Sequence, residues 1–463
     1  MNQENLYEFV KQLNSSYVGP AMVFVLLGAG IFFTIRLRFV PLYFFRSLML
    51  LIKSSDSKNE KASTESGMSP VQALATAIAS QVGTGNIVGV AMAILMGGPG
   101  AMFWMWISTL FGMSTNFAEA ILGQLYKGKS RDGHIVGGPA FYIRDGLHKR
   151  WLADFFAVFF ILALGMIGIM VQANSISTAF TNVIHISINP LWIGLGLALF
   201  CGAVLSGGIT RIASFAESVV PLMAGAFVLF SLIFIFMHTD AIIPVFAEIL
   251  KYAFTTDAEI GGATGIAVMS AARYGVSRGL FSNEAGLGTT PHAHAIAKAK
   301  QPYEQGMIAM LGIGVDLLIC TLTGLVLLLS GVLDHDTSLV GIQIMQAAFH
   351  SSFGDWGNYF IALSLFFFAM STIVGWYFFA AQNVRYLFGE KPIIAYRILV
   401  VVLIVLASII EVPLIWELAD TFNLFIVIPN VVAIIWLSPK VVKEAEKLRK
   451  AMKAKRRLEH MKH

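Results

Sequence analysis

Apolar residues run through this chain in long unbroken blocks, not in the alternation of a half-buried strand or the single stripe of an amphipathic helix. Cut at Gly, Pro and charged clusters, the blocks predict eleven helical spans. They lie near 18–37, 69–97, 99–126, 152–179, 188–206, 211–238, 262–290, 304–332, 356–384, 392–411 and 413–438. Crossing roughly 30 Å of hydrocarbon takes about 20 helical residues, and each block supplies that length. A membrane β-barrel would show shorter, alternating segments. The pattern predicts an all-α polytopic membrane protein. Between the first two blocks lies a polar or interfacial segment, 38–68, and the stretch Ser54–Ser69, rich in Ser, Lys, Asp and Glu, reads as a solvated linker.

Composition sharpens this. Of 463 residues, 57% are hydrophobic and only 13% are charged, against about 25% charged in a soluble domain. That excludes a soluble enzyme, a disordered chain and a disulfide scaffold. Cys201 and Cys320 both fall inside apolar blocks and read as small buried hydrophobes. The first 17 residues are polar and mixed in charge (Glu4, Glu8, Lys11), so the first block reads as a retained span, not a cleaved signal.

The net charge of +5 points to no nucleic acid, because ten of the 32 Lys and Arg residues lie between Lys440 and Lys462, after the last block. A basic cytoplasmic tail beside anionic lipid explains them, and so does a plain solvated helix end. With that tail inside, the inner loops carry Arg36, Arg38, Arg46, Lys53, Lys58, Lys61, Lys127, Lys129, Arg131, Arg144, Lys149, Arg150, Arg211, Lys298, Lys300, Arg385 and Lys391. The outer segments carry only Lys11 and Lys251, with acids such as Asp240, Glu248, Asp257, Glu259, Asp334, Asp336 and Asp355. This asymmetry predicts a multi-pass protein of the plasma (inner) membrane, amino terminus outside and carboxyl terminus cytoplasmic.

Two blocks are interrupted near their middles. Block two carries Ser80-Gln81 and then Gly83-Thr84-Gly85-Asn86. Block seven carries Arg273, Gly275, Ser277, Arg278 and Gly279, then Ser282, Asn283 and Glu284. Small residues alone would mark close helix packing. Their separation by five spans, an odd number, means that the two blocks cross in opposite directions. That is the pattern of an inverted repeat with one discontinuous helix per half. The expected organisation is an extra helix and linker over 1–68, a first repeat over 69–238, a second over 262–438, and the basic tail over 439–463.

Unwinding a helix in hydrocarbon frees backbone groups that cost several kcal/mol each if unpaired. Freed carbonyls suit a cation such as Na⁺, and the N–H end of the following half-helix suits a carboxylate. Gly83 and Gly85 let a ligand approach the backbone, and Thr84 and Asn86 add oxygens. A zwitterion with Na⁺ fits this chemistry. In span nine, Ser371-Thr372 either bond back to the preceding turn or face the break, and Trp376 shares the Thr372 face. In span four, Gln172 and Asn174 interrupt an apolar run. Asp316 and Arg273 lie deep in their spans. They form either a structural ion pair with each other, or Asp316 serves a cation or proton. Glu119, Glu217, Glu284 and Asp420, nearer span ends, read as gating or structural contacts.

Three strings then point to a family. Ser80-Gln81-Val82-Gly83-Thr84-Gly85-Asn86-Ile87, Gly137-Gly138-Pro139-Ala140 and Gly279-Leu280-Phe281-Ser282-Asn283-Glu284-Ala285-Gly286 resemble the alanine/glycine:cation symporter family. The resemblance runs from the first span to the last. It implies a leucine-transporter-type fold, a five-plus-five inverted repeat with an extra N-terminal helix, and uptake of alanine or glycine with Na⁺ or sometimes H⁺. It implies no other cofactor. Residue by residue, it implies that backbone around Gly83, Thr84 and Gly85 receives the carboxylate. The carbonyls of Ala79, Val82 and Phe368, with the hydroxyls of Ser371 and Thr372, would hold Na⁺. Gln172 and Trp376 would shape the pocket, Asn86 would meet substrate or a second cation, and the window Gly275–Phe281, with Gly275, Gly279 and Phe281, would meet the amino group. Asp316, Arg273 and Glu119 are left as coupling or gating candidates. The rivals are an H⁺-coupled or different-cargo transporter of this fold and, from another class, a cation channel. A membrane enzyme is disfavoured, since no nucleophile–base or metal-ligand spacing is found.

Overall fold

The computed structural model describes residues 3–43, 67–129, 135–183, 189–255, 263–335, 339–410 and 413–460. Most of the 54–69 linker lies outside these residues, as do the expected inner-loop cations Arg46, Lys53, Lys58, Lys61 and Arg131 and the outer acids Asp257, Glu259 and Asp336.

Six helices are long and apolar enough to cross a membrane: Asn5–Arg36, Arg150–Thr181, Gly208–Met237, Pro302–Ser330, Asp355–Phe388 and Leu414–Trp436. A seventh candidate is the pair Pro70–Gln81 and Gly85–Gly97, bent by 52°. Pro190–Ser206 and Ile393–Ile409 are apolar but shorter. Length and composition thus single out six or seven spans where the sequence predicts eleven. Part of the gap has a physical cause. The 25-residue helix Ala101–Leu125 is diluted by polar residues that face inward. Ser108, Thr109, Ser114, Thr115, Asn116 and Glu119 are all buried. This helix packs against both Ala263–Asn283 and Pro302–Ser330, so it forms the centre of the molecule rather than its lipid face.

The outside shows the reverse pattern. Leu199, Leu222, Phe236 and Ile243 are exposed, as lipid contact requires and water forbids. Trp151, Trp192, Trp356 and Trp436 are also exposed and sit at or beside helix ends, where an indole meets both hydrocarbon and headgroup.

Sequence sets the ends of the helices that matter most. Ser69 and Gln72 cap Pro70–Gln81 reciprocally: Gln72 N–H donates to Ser69 Oγ at 3.1 Å and Ser69 N–H to Gln72 Oε1 at 3.1 Å. Just before this cap, Met68 N–H donates to the Ile296 carbonyl at 3.2 Å, and Lys298 N–H to the Met68 carbonyl at 3.0 Å. The chain entering the first broken helix is thereby strapped to the chain leaving the second.

Candidate functional site

The first break falls at Val82–Thr84, where the interruption in block two places it. Pro70–Gln81 ends as Val82 turns extended, and a π-turn over Gly85–Gly89 starts the second half. Ending a helix frees its last carbonyls. The Thr372 hydroxyl stands among them. Its Oγ1 lies 3.2 Å from the Ala79 carbonyl, 3.4 Å from Ser80, 3.3 Å from Val82, and 3.1 Å from Phe368 on its own helix. One hydroxyl proton serves one acceptor, so this position gathers more oxygen than a proton can satisfy. Ala79, Val82, Phe368 and Thr372 are therefore together, and Ser80 joins them. Ser371 takes the local option, donating to the Phe368 carbonyl at 2.8 Å and touching Met223 Sδ at 3.7 Å.

The N–H side of the break is partly served by side chains. Gly83 N–H donates to Asn86 Oδ1 at 2.9 Å, and Thr84 N–H to Gln172 Oε1 at 3.2 Å. The Thr84 hydroxyl is buried with no partner among the described residues. Gly83 admits nothing larger. A Cβ there would fall 2.4 Å from Thr372 Oγ1.

The second break lies further along than the sequence places it. Ala263–Asn283 is continuous through Gly275 and Gly279. Those two glycines are packing sites. A Cβ at Gly275 would fall 2.2 Å from the Ala101 carbonyl, and one at Gly279 would fall 2.6 Å from Ser108 Oγ. They let Ala263–Asn283 lie close against Ala101–Leu125, and Phe281 is half-buried in the last helical turn. The chain unwinds only after Asn283. Glu284, Gly286 and Gly288 adopt positive φ of 57°, 90° and 78°, and a short helix, Pro291–Ala295, follows. Glycine supplies that backbone without strain.

Glu119 clasps this second break. Its Oε2 accepts from Gly286 N–H at 3.2 Å and its Oε1 from Gly288 N–H at 3.1 Å. Asn430 donates to Glu119 Oε1 at 2.6 Å and to the Gly286 carbonyl at 2.8 Å, and Tyr142 donates to Asn430 Oδ1. Both carboxylate oxygens are spent on backbone that hydrocarbon would leave unpaired. Sequence reasoning missed Asn430 and Tyr142. The signal for Asn430 was present: Pro429 stands inside an apolar span directly before it, and an interior Pro frees backbone groups.

The two breaks touch. Gln81 Nε2 donates to the Asn283 carbonyl at 2.9 Å, and Ser80 Oγ to Glu284 Oε2 at 3.0 Å. Trp376 Nε1 donates to Glu284 Oε1 at 2.7 Å, with its ring against Gly168. Trp376 thus belongs to a closed polar network one turn beyond Thr372. On the other side, Asn86 Nδ2 and Ser282 Oγ both donate to Asp316 Oδ1, each at 2.6 Å, while the buried Asp316 Oδ2 has no partner among the described residues. The ion pair between Asp316 and Arg273 does not form. Arg273 reaches the amino-terminal segment instead, donating to the Ser15 carbonyl at 2.5 Å.

The sequence pattern of the sodium:alanine symporter family matches residues 3–462. The chain belongs to this family. It is 39% identical over 444 residues to the sodium/alanine symporter AgcS of Methanococcus maripaludis, covering 94% of this chain and 96% of AgcS. It is also 39% identical over 442 residues to the probable sodium/glutamine symporter GlnT of Bacillus subtilis, covering 95% and 90% of the two chains. The fold is shared with MhsT, solved in complex with L-phenylalanine. That likeness has a TM-score of 0.57 at 14% identity and covers 83% of this chain and 93% of MhsT. As a family member the chain is a multi-pass membrane transporter and not an enzyme, a cation-coupled amino-acid symporter.

Proposed function

We propose that this symporter imports alanine or glycine together with Na⁺ by alternating access across the plasma (inner) membrane, amino terminus outside and basic tail in the cytoplasm. The observation that carries the reading is the ring of four carbonyls around Thr372 Oγ1, drawn from both sides of one contact between a broken and an unbroken helix. Na⁺ there fastens Pro70–Gln81 to Asp355–Phe388. The substrate carboxylate takes the adjoining Thr84–Gly85 end of the second half-helix, where the Thr84 hydroxyl has no partner among the described residues. The buried Gly83, Thr84 and Asn86 surroundings favour a small side chain. The repeats are 69–238 and 262–438, each opening with its broken helix. Each Na⁺ moved inward gains about 2.3 kcal/mol per 100 mV. Asp316, beside Asn86 and with one carboxyl oxygen unpartnered among the described residues, is the coupling residue.

Uptake into proteoliposomes tests this, with Na⁺ replaced by choline at fixed ionic strength and alanine, glycine and glutamine compared. Alanine or glycine accumulates only with Na⁺. Accumulation of glutamine in preference gives the cargo to the GlnT-type alternative, and undiminished uptake in choline gives the coupling to H⁺. Current without any amino acid favours a channel. In the same assay Asp316→Asn, which keeps both hydrogen-bond acceptor and shape, lowers Na⁺-driven uptake by about tenfold or more, the worth of one charge-assisted contact. Normal transport at every pH would leave Asp316 a structural residue.

A further inference from the structure

A cavity of about 400 Å³ opens at the far end of the two helices that build the carbonyl ring. Met68 and Gln72 line it from the start of Pro70–Gln81, and Gln382 and Arg385 from the end of Asp355–Phe388. Gln382 follows Thr372 by ten residues, about 15 Å along a helix. The buried Ser80–Glu284–Trp376 network lies between.

The cavity wall carries an unusual set of polar groups. Gln382 is 1% exposed, yet neither its Oε1 nor its Nε2 has a partner among the described residues. An amide left so has given up its bonds to water and gained none in return. Arg385 Nε lies 3.0 Å from both carboxylate oxygens of Glu390, and the remaining guanidinium nitrogens meet no acceptor among the described residues. One wall therefore offers a cation, an anion, and an amide whose donor and acceptor have no partner among the described residues. Opposite charges joined by a short polar bridge complement a zwitterion. Ile135 and Ile209, both partly exposed, offer apolar surface for a short side chain.

We propose that this cavity is a second, weaker amino-acid site, a release-side station that holds the carried zwitterion between Arg385, Glu390 and Gln382. Its carboxylate meets Arg385 and Gln382 Nε2, and its ammonium meets Glu390 and Gln382 Oε1. The network of Ser80, Glu284 and Trp376 separates the two sites and must open for transfer. The proposal rests on the buried centre being the first amino-acid site.

The test places a reporter at an exposed position of the cavity wall in the full chain, Thr210→Cys, and measures its alkylation rate by a maleimide. The native Cys201 and Cys320 are both buried and give low background. The probe is whichever of alanine, glycine and glutamine the unmodified chain accumulates in parallel vesicles, so a failure of the transport reading is seen separately. At ten times the dissociation constant of the station, the amino acid slows alkylation about tenfold. The slowing persists in Thr372→Ala, which cripples the buried centre, and is lost in Gln382→Leu. Arg385→Gln, a second route to the same loss, keeps the test usable if Gln382→Leu folds poorly. An unchanged rate at every amino-acid concentration overturns the proposal and leaves the cavity to water. So does slowing that survives both Gln382→Leu and Arg385→Gln, or slowing that disappears with Thr372→Ala, since either reports a change relayed from the centre.

Discussion

Replacing Gly83 by Val abolishes Na⁺-dependent amino-acid binding. The reason is local and steric. The first added atom would fall 2.4 Å from Thr372 Oγ1, 3.2 Å from Thr372 Cβ and 3.3 Å from Gln172 Oε1. None of these groups is a free end. The Thr372 hydroxyl is held among four carbonyls, and Gln172 Oε1 accepts from Thr84 N–H. Relief means pushing Asp355–Phe388 off the break, which opens the carbonyl ring, and moving Gln172, which uncaps the carboxylate end. Overpacking of this kind costs about 1–3 kcal/mol, and here the cost falls on the bound geometry. At the upper end of that cost affinity drops by about 100-fold, enough to abolish binding at working concentrations. Gly85→Ala is the contrast, because its Cβ meets Ser282 only at 3.5 Å, an ordinary contact, and affinity stays within a few-fold. Equal affinity in Gly83→Val, measured on protein that elutes as the parent does, would contradict the broken-helix site.

The paired change Ser371→Ala and Thr372→Ala raises the Na⁺ concentration needed for half-maximal uptake by about tenfold or more, at the scale of one lost contact to a charged group, about 1.5–3 kcal/mol. Thr372 supplies most of the effect. Among the described residues its hydroxyl is the only side-chain oxygen at the centre of the ring, whereas Ser371 donates to the Phe368 carbonyl. Thr372→Ser, which keeps the oxygen, restores most of the Na⁺ response. A Na⁺ dependence untouched by the double change would remove this site from the mechanism.

The first break was legible because its cause is written locally. Gly83-Thr84-Gly85-Asn86 interrupts an apolar run, and no membrane helix passes two such glycines and two polar residues without a reason. The second was misplaced by about one to two turns. Gly275 and Gly279 look like breakers in sequence, but at helical spacing they form a flat face for Ala101–Leu125. Only the partner's position separates close packing from unwinding. The Arg273–Asp316 pairing failed for a similar reason. Opposite charge at similar depth says nothing about which side of a helix each residue occupies, and Arg273 turns to Ser15. The clasp of Glu119, Asn430 and Tyr142 joins residues up to 311 apart, a separation no pattern in one sequence reveals. What could be read was chemistry demanded by the local chain, and what could not was the identity of distant partners.

The central claim is that Na⁺ and the amino acid occupy one buried centre, where Na⁺ binding prepares the amino-acid site. Calorimetric titration of alanine, glycine and glutamine into the purified full chain, in Na⁺ and in choline at equal ionic strength, tests it most directly. The account predicts one-to-one binding of the preferred amino acid at that centre, about tenfold or more tighter in Na⁺ than in choline, with the difference erased by Thr372→Ala. The same affinity in both salts would contradict it.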